Sequence, residues 1–197
     1  MVSGIPASMP ILQKESEIYP ADLFEIPARE APWQVAHVRS RQEKVLARFL
    51  ATHHKPFYLP LVDRVVKRDG RTFTSHLPLF SGYVFLRHVA GAEIVWRSNV
   101  VVSLLDVPDQ EQLTMELQQI RSLQERGATL TPVSDIAAGD AVRITEGAFR
   151  DYVGTVVREK GTSQLIISVT TLRKSVAVEF PRDAVVRSRS GAQHRRV

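Results

Sequence analysis

The chain has 197 residues, 44% hydrophobic and 24% charged, which is room for one ordinary domain or two small ones with a real core and excludes wholesale disorder. It has no cysteine, so disulfide scaffolds, cysteine–zinc sites, iron–sulfur clusters and thiol catalysis are excluded. No apolar run approaches the roughly 18 residues of a membrane span, and the N-terminus lacks the basic start and apolar run of a secretory signal; a cytoplasmic protein with no membrane contact is expected. The formal net charge is +5 and unevenly spread. Residues 1–32 carry 2 basic and 5 acidic side chains, 33–126 carry 13 and 9, and 127–197 carry 11 and 7. Positive charge concentrated on the folded part favours a polyanionic neighbour such as nucleic acid.

Residues 1–32 hold five prolines and no sustained periodicity, and are expected to form a disordered leader. Trp33–Val38 alternates apolar and polar positions, as a half-buried strand does. Ser40-Arg41-Gln42-Glu43 reads as a capping box opening a helix over about 41–53, whose Val45/Phe49 and Leu46/Leu50 pairs form an apolar stripe. Phe57–Val62 reads as a short strand after Pro56. In Val65–Phe73 the Asp69-Gly70 pair predicts a tight hairpin with a basic tip of Lys67, Arg68 and Arg71. Pro78–Leu86 adds a strand in which Gly82 lets the chain bend between aromatics. A short helix is expected over 90–98 and a buried strand over 100–105. Leu113, Leu117, Ile120 and Leu123 then mark a second amphipathic helix, opened at Pro108 and ended at Gly127.

This order predicts an α+β domain over 33–126, an antiparallel sheet with helices packed on it. A linker is expected at 127–135. Beyond it, short strands near 142–144, 154–157, 165–169 and 175–180 predict a small β-barrel over 136–187, followed by a basic tail at 188–197. Gly147 and Gly154, seven apart, suit a barrel turn that needs positive φ or a bulge.

No GxGxxG, GxxxxGK[ST], GxSxG or HExxH motif is present. His53-His54 is the only histidine pair, and neighbours on a helix point apart, so it reads as a helix end near the C-terminal dipole, not a metal site. No enzyme, cofactor or metal is expected.

Pro78-Leu79-Phe80-Ser81-Gly82-Tyr83-Val84-Phe85, after a strand–helix opening and before a second all-β unit running from Val142-Arg143-Ile144 through Gly154-Thr155-Val156 to Leu165–Phe180, resembles the NusG family of transcription elongation factors. The first unit looks like its N-terminal (NGN) domain and the second like an SH3-like KOW barrel. The basic hairpin and Leu172–Val178 look most like the specialised paralogues of the RfaH, LoaP and UpxY kind. The resemblance implies a monomeric factor that docks on the clamp helices of the RNA polymerase β′ subunit, suppresses pausing and promotes antitermination at particular operons. It assigns the polymerase contact to Val35, His37, Leu79, Phe80, Tyr83 and Phe85, with His37 and Ser81 departing from the family's usual aromatic and proline.

It also implies nucleic-acid contact, with non-template DNA or nascent RNA, by Arg39, Arg41, Lys44 and Arg48, extended by Lys67, Arg68 and Arg71. Ala92–Val95 stands where a His-Thr-Thr-like motif would be. Tyr152, Leu172, Arg173 and Lys174 match positions that meet a small-subunit ribosomal protein, Rho or RNA. The β-branched content of Val153–Val178 favours strands over helices in this unit. Two alternatives stay open: a general NusG that recruits Rho for termination, and a ribosome-associated RNA-binding protein of the KOW type.

Overall fold

The computed structural model describes residues 16–68, 71–88, 92–133, 140–143, 152–159 and 162–180. Its first sheet has five strands in the order β1-β3-β6-β2-β7, all neighbours antiparallel. The strands are β1 (Ile18–Tyr19), β2 (Trp33–Val38), β3 (Phe57–Tyr58), β6 (Tyr83–Arg87) and β7 (Val101–Asp106). β2 lies between β6 and β7 and is covered on both faces. On one face, Trp33 and Val35 meet Leu113, Leu117 and Ile120 of helix α2 (Gln110–Glu125); on the other, Ala36 and Val38 meet Leu46, Ala47 and Leu50 of helix α1 (Glu43–Thr52). Each fully buried side chain of this kind contributes about 1.5–3 kcal/mol, so a six-residue strand suffices to anchor two helices.

α1 differs from the sequence expectation at its start. Ser40-x-x-Glu43 forms no capping box: Arg41 takes φ 60°, Gln42 caps without a side-chain bond, and Glu43 is buried. Its carboxylate accepts from the backbone N–H of Gly82 at 2.6 Å. A tertiary bond to a charged acceptor outweighs the local one, because a buried carboxylate needs a donor more than an exposed helix end does. α2 follows the expectation closely. Asp109 accepts from the Gln112 amide at 2.8 Å, and Gly127, at φ 73°, ends the helix.

The predicted hairpin is a separate two-stranded ribbon of β4 (Leu61–Arg68) and β5 (Arg71–Pro78) that joins neither sheet. Its turn, Asp69-Gly70, lies outside the described residues. The predicted helix over 90–98 is a 3-10 stretch, Ala92–Ser98.

The leader is the largest departure. Residues 16–32 are ordered against the first sheet: β1 pairs with β3, and Leu23 is completely buried. Arg87 holds this segment. Its guanidinium donates to the carbonyls of Ala31 at 2.9 Å and Ile26 at 2.8 Å and lies 3.9 Å from the Trp33 ring centroid. Burial pushes the Arg87 pKa down to about 10. For a base, that sign means the desolvation cost is present throughout the range below about pH 10 and is relieved only above it. Between pH 6 and 9 the melting temperature is therefore expected to owe no slope to Arg87, so Arg87→Met and the parent should give parallel stability–pH curves in thermal melts. Residues 1–15 lie outside the described residues.

The second sheet is antiparallel in the order β8-β12-β11-β10-β9. Its strands are β8 (Leu130–Val133), β9 (Asp140–Arg143), β10 (Val153–Glu159), β11 (Thr162–Val169) and β12 (Lys174–Phe180). β8 comes from the stretch expected to be linker; Leu130 pairs with Val178 and supplies an apolar side chain to the core. Gly154 has a different reason from the one its spacing suggested. A Cβ there would stand within van der Waals overlap of the Ile166 carbonyl oxygen, so close strand approach requires the glycine. Gly147, the rest of 144–151 and residues 181–197, including the basic tail, lie outside the described residues. Among the described residues no helix is long and apolar enough to cross a membrane, and no group of three or more His, Asp or Glu could hold a metal.

Candidate functional site

Between β5 and β6 the chain turns through Leu79–Gly82, at the end of the first sheet. Gly82 has φ 86°, a conformation that costs other residues about 1–2 kcal/mol. Its carbonyl accepts from Val38 at 2.9 Å while Glu43 accepts its N–H, so α1, β2 and the turn are tied at one residue. The Leu79 amide donates to Pro60 at 2.8 Å. Phe80 meets Phe85 edge-on, with centroids 5.8 Å apart. His37 and Tyr83 are directly paired across β2 and β6, and their rings lie 5.2 Å apart.

The six residues assigned to a polymerase contact separate by burial. Val35 and Phe85 are completely buried, and so in this state form the floor beneath the turn rather than a surface that a partner could touch. Leu79 and Phe80 are also buried. His37 and Tyr83 are half-buried and present ring surface.

The second sheet stands over this turn. Leu79, Phe80 and Ser81 face Leu172, Arg173 and Lys174 across a cleft of about 400 Å³. The Lys174 ammonium lies 5.5 Å from the Tyr83 ring centroid. Leu172 and Tyr152 are buried in the same apolar cluster as Leu113, Leu117 and Ile120 of α2, together with Leu165, Ile167 and Val169. Residues assigned from the sequence to two different partners thus line one interface.

That interface has a polar clasp that sequence reasoning missed. Glu116 of α2 is buried and accepts from the Thr170 hydroxyl at 2.6 Å, the Thr170 amide at 3.1 Å and the Gln112 side chain at 2.9 Å. Gln119 accepts from the Val153 amide at 2.9 Å. The signal was present: Glu116 falls three residues after Leu113 and one before Leu117, on the apolar stripe. A carboxylate there needs donors brought by another element.

Of the basic residues, Arg39, Arg41 and Arg48 are exposed and Lys44 is half-buried, from the end of β2 along α1. Lys67 and Arg71 are exposed on the ribbon, where Arg71 pairs in register with Arg68. No carboxylate of the described residues pairs with Arg39, Arg41, Lys67 or Arg71.

The family model described as "NusG: Transcription termination factor nusG" matches residues 31–133, over half of the chain. The chain belongs to the NusG family. The match spans β2 to β8 and so includes both helices, the ribbon, the Leu79–Gly82 turn and the α2 side of the Glu116 clasp. As a NusG-family protein it is a factor of transcription elongation in the general sense. A solved structure, "Crystal Structure of MjSpt4:Spt5 complex conformation B", is 16% identical over 79% of this chain and 95% of that one, with a TM-score of 0.25. No curated protein matches the chain.

Proposed function

We propose that this NusG-family chain is an operon-specific elongation factor that binds RNA polymerase through the Leu79–Tyr83 turn, opposes pausing and promotes antitermination. The turn carries the reading. Hydrogen bonds with Glu43, Val38 and Pro60 hold one short loop in place, with the paired His37 and Tyr83 rings at its rim, and rigid aromatic anchors beside buried apolar side chains are what supplies hot spots in protein interfaces. Binding of this kind makes and breaks no bond; it shifts the polymerase between pausing and elongating states. The basic residues of α1 and the ribbon would add nucleic-acid contact by pairing with phosphates, which positions the factor without reading sequence.

The test is transcription with purified polymerase across a pause and a Rho-dependent terminator. The antiterminator reading expects longer transcripts and shorter pauses. Increased release by Rho with no gain in length would replace it with the general-NusG reading.

Docking by the turn competes with the second sheet, because Leu172–Ser175 stand opposite Leu79 and Phe80 across the cleft, where a partner would have to enter. Apparent affinity for polymerase is then the intrinsic affinity reduced by the open fraction. Glu116→Ala removes the charged acceptor of two Thr170 donors, worth about 1–3 kcal/mol together, and alanine suits the middle of a helix. The expected result is roughly tenfold tighter polymerase binding, with faster amide exchange over 165–178 and unchanged exchange over 33–38. Equal affinity would mean that the second sheet does not compete for the turn.

A further inference from the structure

The β4–β5 ribbon has a use that the Leu79–Tyr83 turn does not account for. An isolated pair of strands has no core of its own, yet this one runs eight residues a side and exposes Val65, Val66, Phe73 and Leu77. Its register sorts the side chains by face. Direct pairs project together and alternate along the strands. One face holds Val62/Leu77, Arg64/Ser75, Val66/Phe73 and Arg71; the other holds Asp63/His76, Val65/Thr74 and Lys67/Thr72.

The sorting separates charge as well. The one carboxylate among the ribbon's described residues, Asp63, is on the second face, bound to His76 at 2.5 Å. The first face has Arg64, Arg71 and Phe73, and no acid among the described side chains. Steps of two residues along a strand are about 7 Å, so Phe73, 45% exposed, sits one step from Arg71 and one step from the Arg64/Ser75 pair.

We propose that this face of the ribbon binds an unpaired nucleic-acid strand, with one base stacked on Phe73 and the flanking phosphates held by Arg64 and Arg71. It deepens the nucleic-acid part of the proposed function and rests on that part. Charge complementarity selects a polyanion over a protein surface. The exposed ring selects an unpaired strand, because a base offers its π face to a side chain only when it is not stacked within a duplex. Arg64 and Phe73 are the residues this adds, and Lys67 moves to the opposite face.

The experiment is fluorescence anisotropy of the full chain with a fluorescein-labelled 12-nucleotide DNA of mixed sequence, the same sequence as RNA, and the blunt DNA duplex, over a salt series. Both single strands are expected to outbind the duplex. The tighter of the two identifies the strand used, DNA or transcript. Phe73→Ala should weaken binding about tenfold or more with an unchanged salt slope, and Phe73→Trp should retain it. Arg64→Gln and Arg71→Gln should each flatten the slope of log K against log salt by about 0.7, and Lys67→Gln by less.

A duplex bound as tightly as the single strands, a silent Phe73→Ala, or no binding of any oligonucleotide would overturn the assignment. Polymerase capture by the same variants separates the two readings. Phe73→Ala that captures polymerase normally leaves the turn's role standing whatever the oligonucleotides do. Loss of capture without oligonucleotide binding would make the ribbon a protein-docking face and overturn the proposal. Phe73 and both arginines are exposed, so circular dichroism melts of the variants should overlay the parent.

Discussion

Tyr83→Ala is expected to reduce the affinity for RNA polymerase by about 30-fold or more while leaving the melting temperature within a few degrees of the parent. The argument is one of position. Tyr83 begins β6, directly across from His37, with its ring half-exposed at the end of the sheet. Phe85, two residues on, is completely buried with Phe80 against its edge. Truncating Phe85 would cost about 3–5 kcal/mol of fold stability and so would report on folding, not on docking. Tyr83 packs only on the edge of the core and is partly buried, so its removal costs the fold far less than that of Phe85, and an anchoring aromatic at the centre of an interface is worth about 2–4 kcal/mol of binding, hence the factor. The ring also carries the Lys174 ammonium in the closed arrangement. Its loss therefore loosens the second sheet slightly, which works against the predicted weakening and makes the stated factor a lower one. Equilibrium binding to core polymerase measures it. An unchanged dissociation constant would remove Tyr83 from the contact, and unchanged binding by each of the single variants Tyr83→Ala and Glu116→Ala would move the contact off this face altogether.

Much of the first unit was legible because its signals are local. The alternation on either side of Asp69-Gly70 pointed to the two strands of the ribbon, the Leu113–Leu123 stripe with Gly127 to α2, and Gly82 marked the bend. What was not legible depends on residues distant in sequence. Glu43 was read as a cap because Ser40 stands three residues before it, but the Gly82 amide, 39 residues on, takes the carboxylate. The prolines of residues 1–32 argued for disorder, yet residues 16–32 are ordered by apolar side chains laid on the core, Ile18, Leu23, Phe24 and Ile26, and by their carbonyls, because the buried Arg87 lacks a carboxylate and uses those of Ala31 and Ile26. β8 looked like linker because Pro132 interrupts it; an edge strand tolerates proline.

The candidate site shows the same division. The residue types around Gly82 could be picked out, but their burial could not. Exposure at Val35, Leu79, Phe80 and Phe85 is decided by an apolar cluster gathered from distant parts of the chain, from Leu23 and Tyr58 to α2 and the second sheet.

Gly154→Ala separates the two sheets thermodynamically. An added Cβ would lie 2.4 Å from the Ile166 carbonyl oxygen and 3.0 Å from a Leu165 methyl. Backbone cannot swing aside as a flexible side chain can. β10 would have to leave β11, to which it is paired from Thr155–Ile166 to Glu159–Thr162. Overpacking against fixed atoms costs about 3 kcal/mol, a large share of what a sheet this small holds. The first sheet shares no strand with the second and keeps α1 to itself, while α2 is packed against both. The expected result is a melt that splits in two, with amide protection lost over 153–178 and kept over 33–38 and 83–87. With the second sheet loosened, the Leu79–Tyr83 turn is uncovered, so polymerase should bind more tightly than to the parent, and Tyr83→Ala added to Gly154→Ala should abolish the gain. A single transition shifted as a whole would show instead that the two sheets fold as one cooperative unit through the Glu116 clasp and the shared apolar cluster.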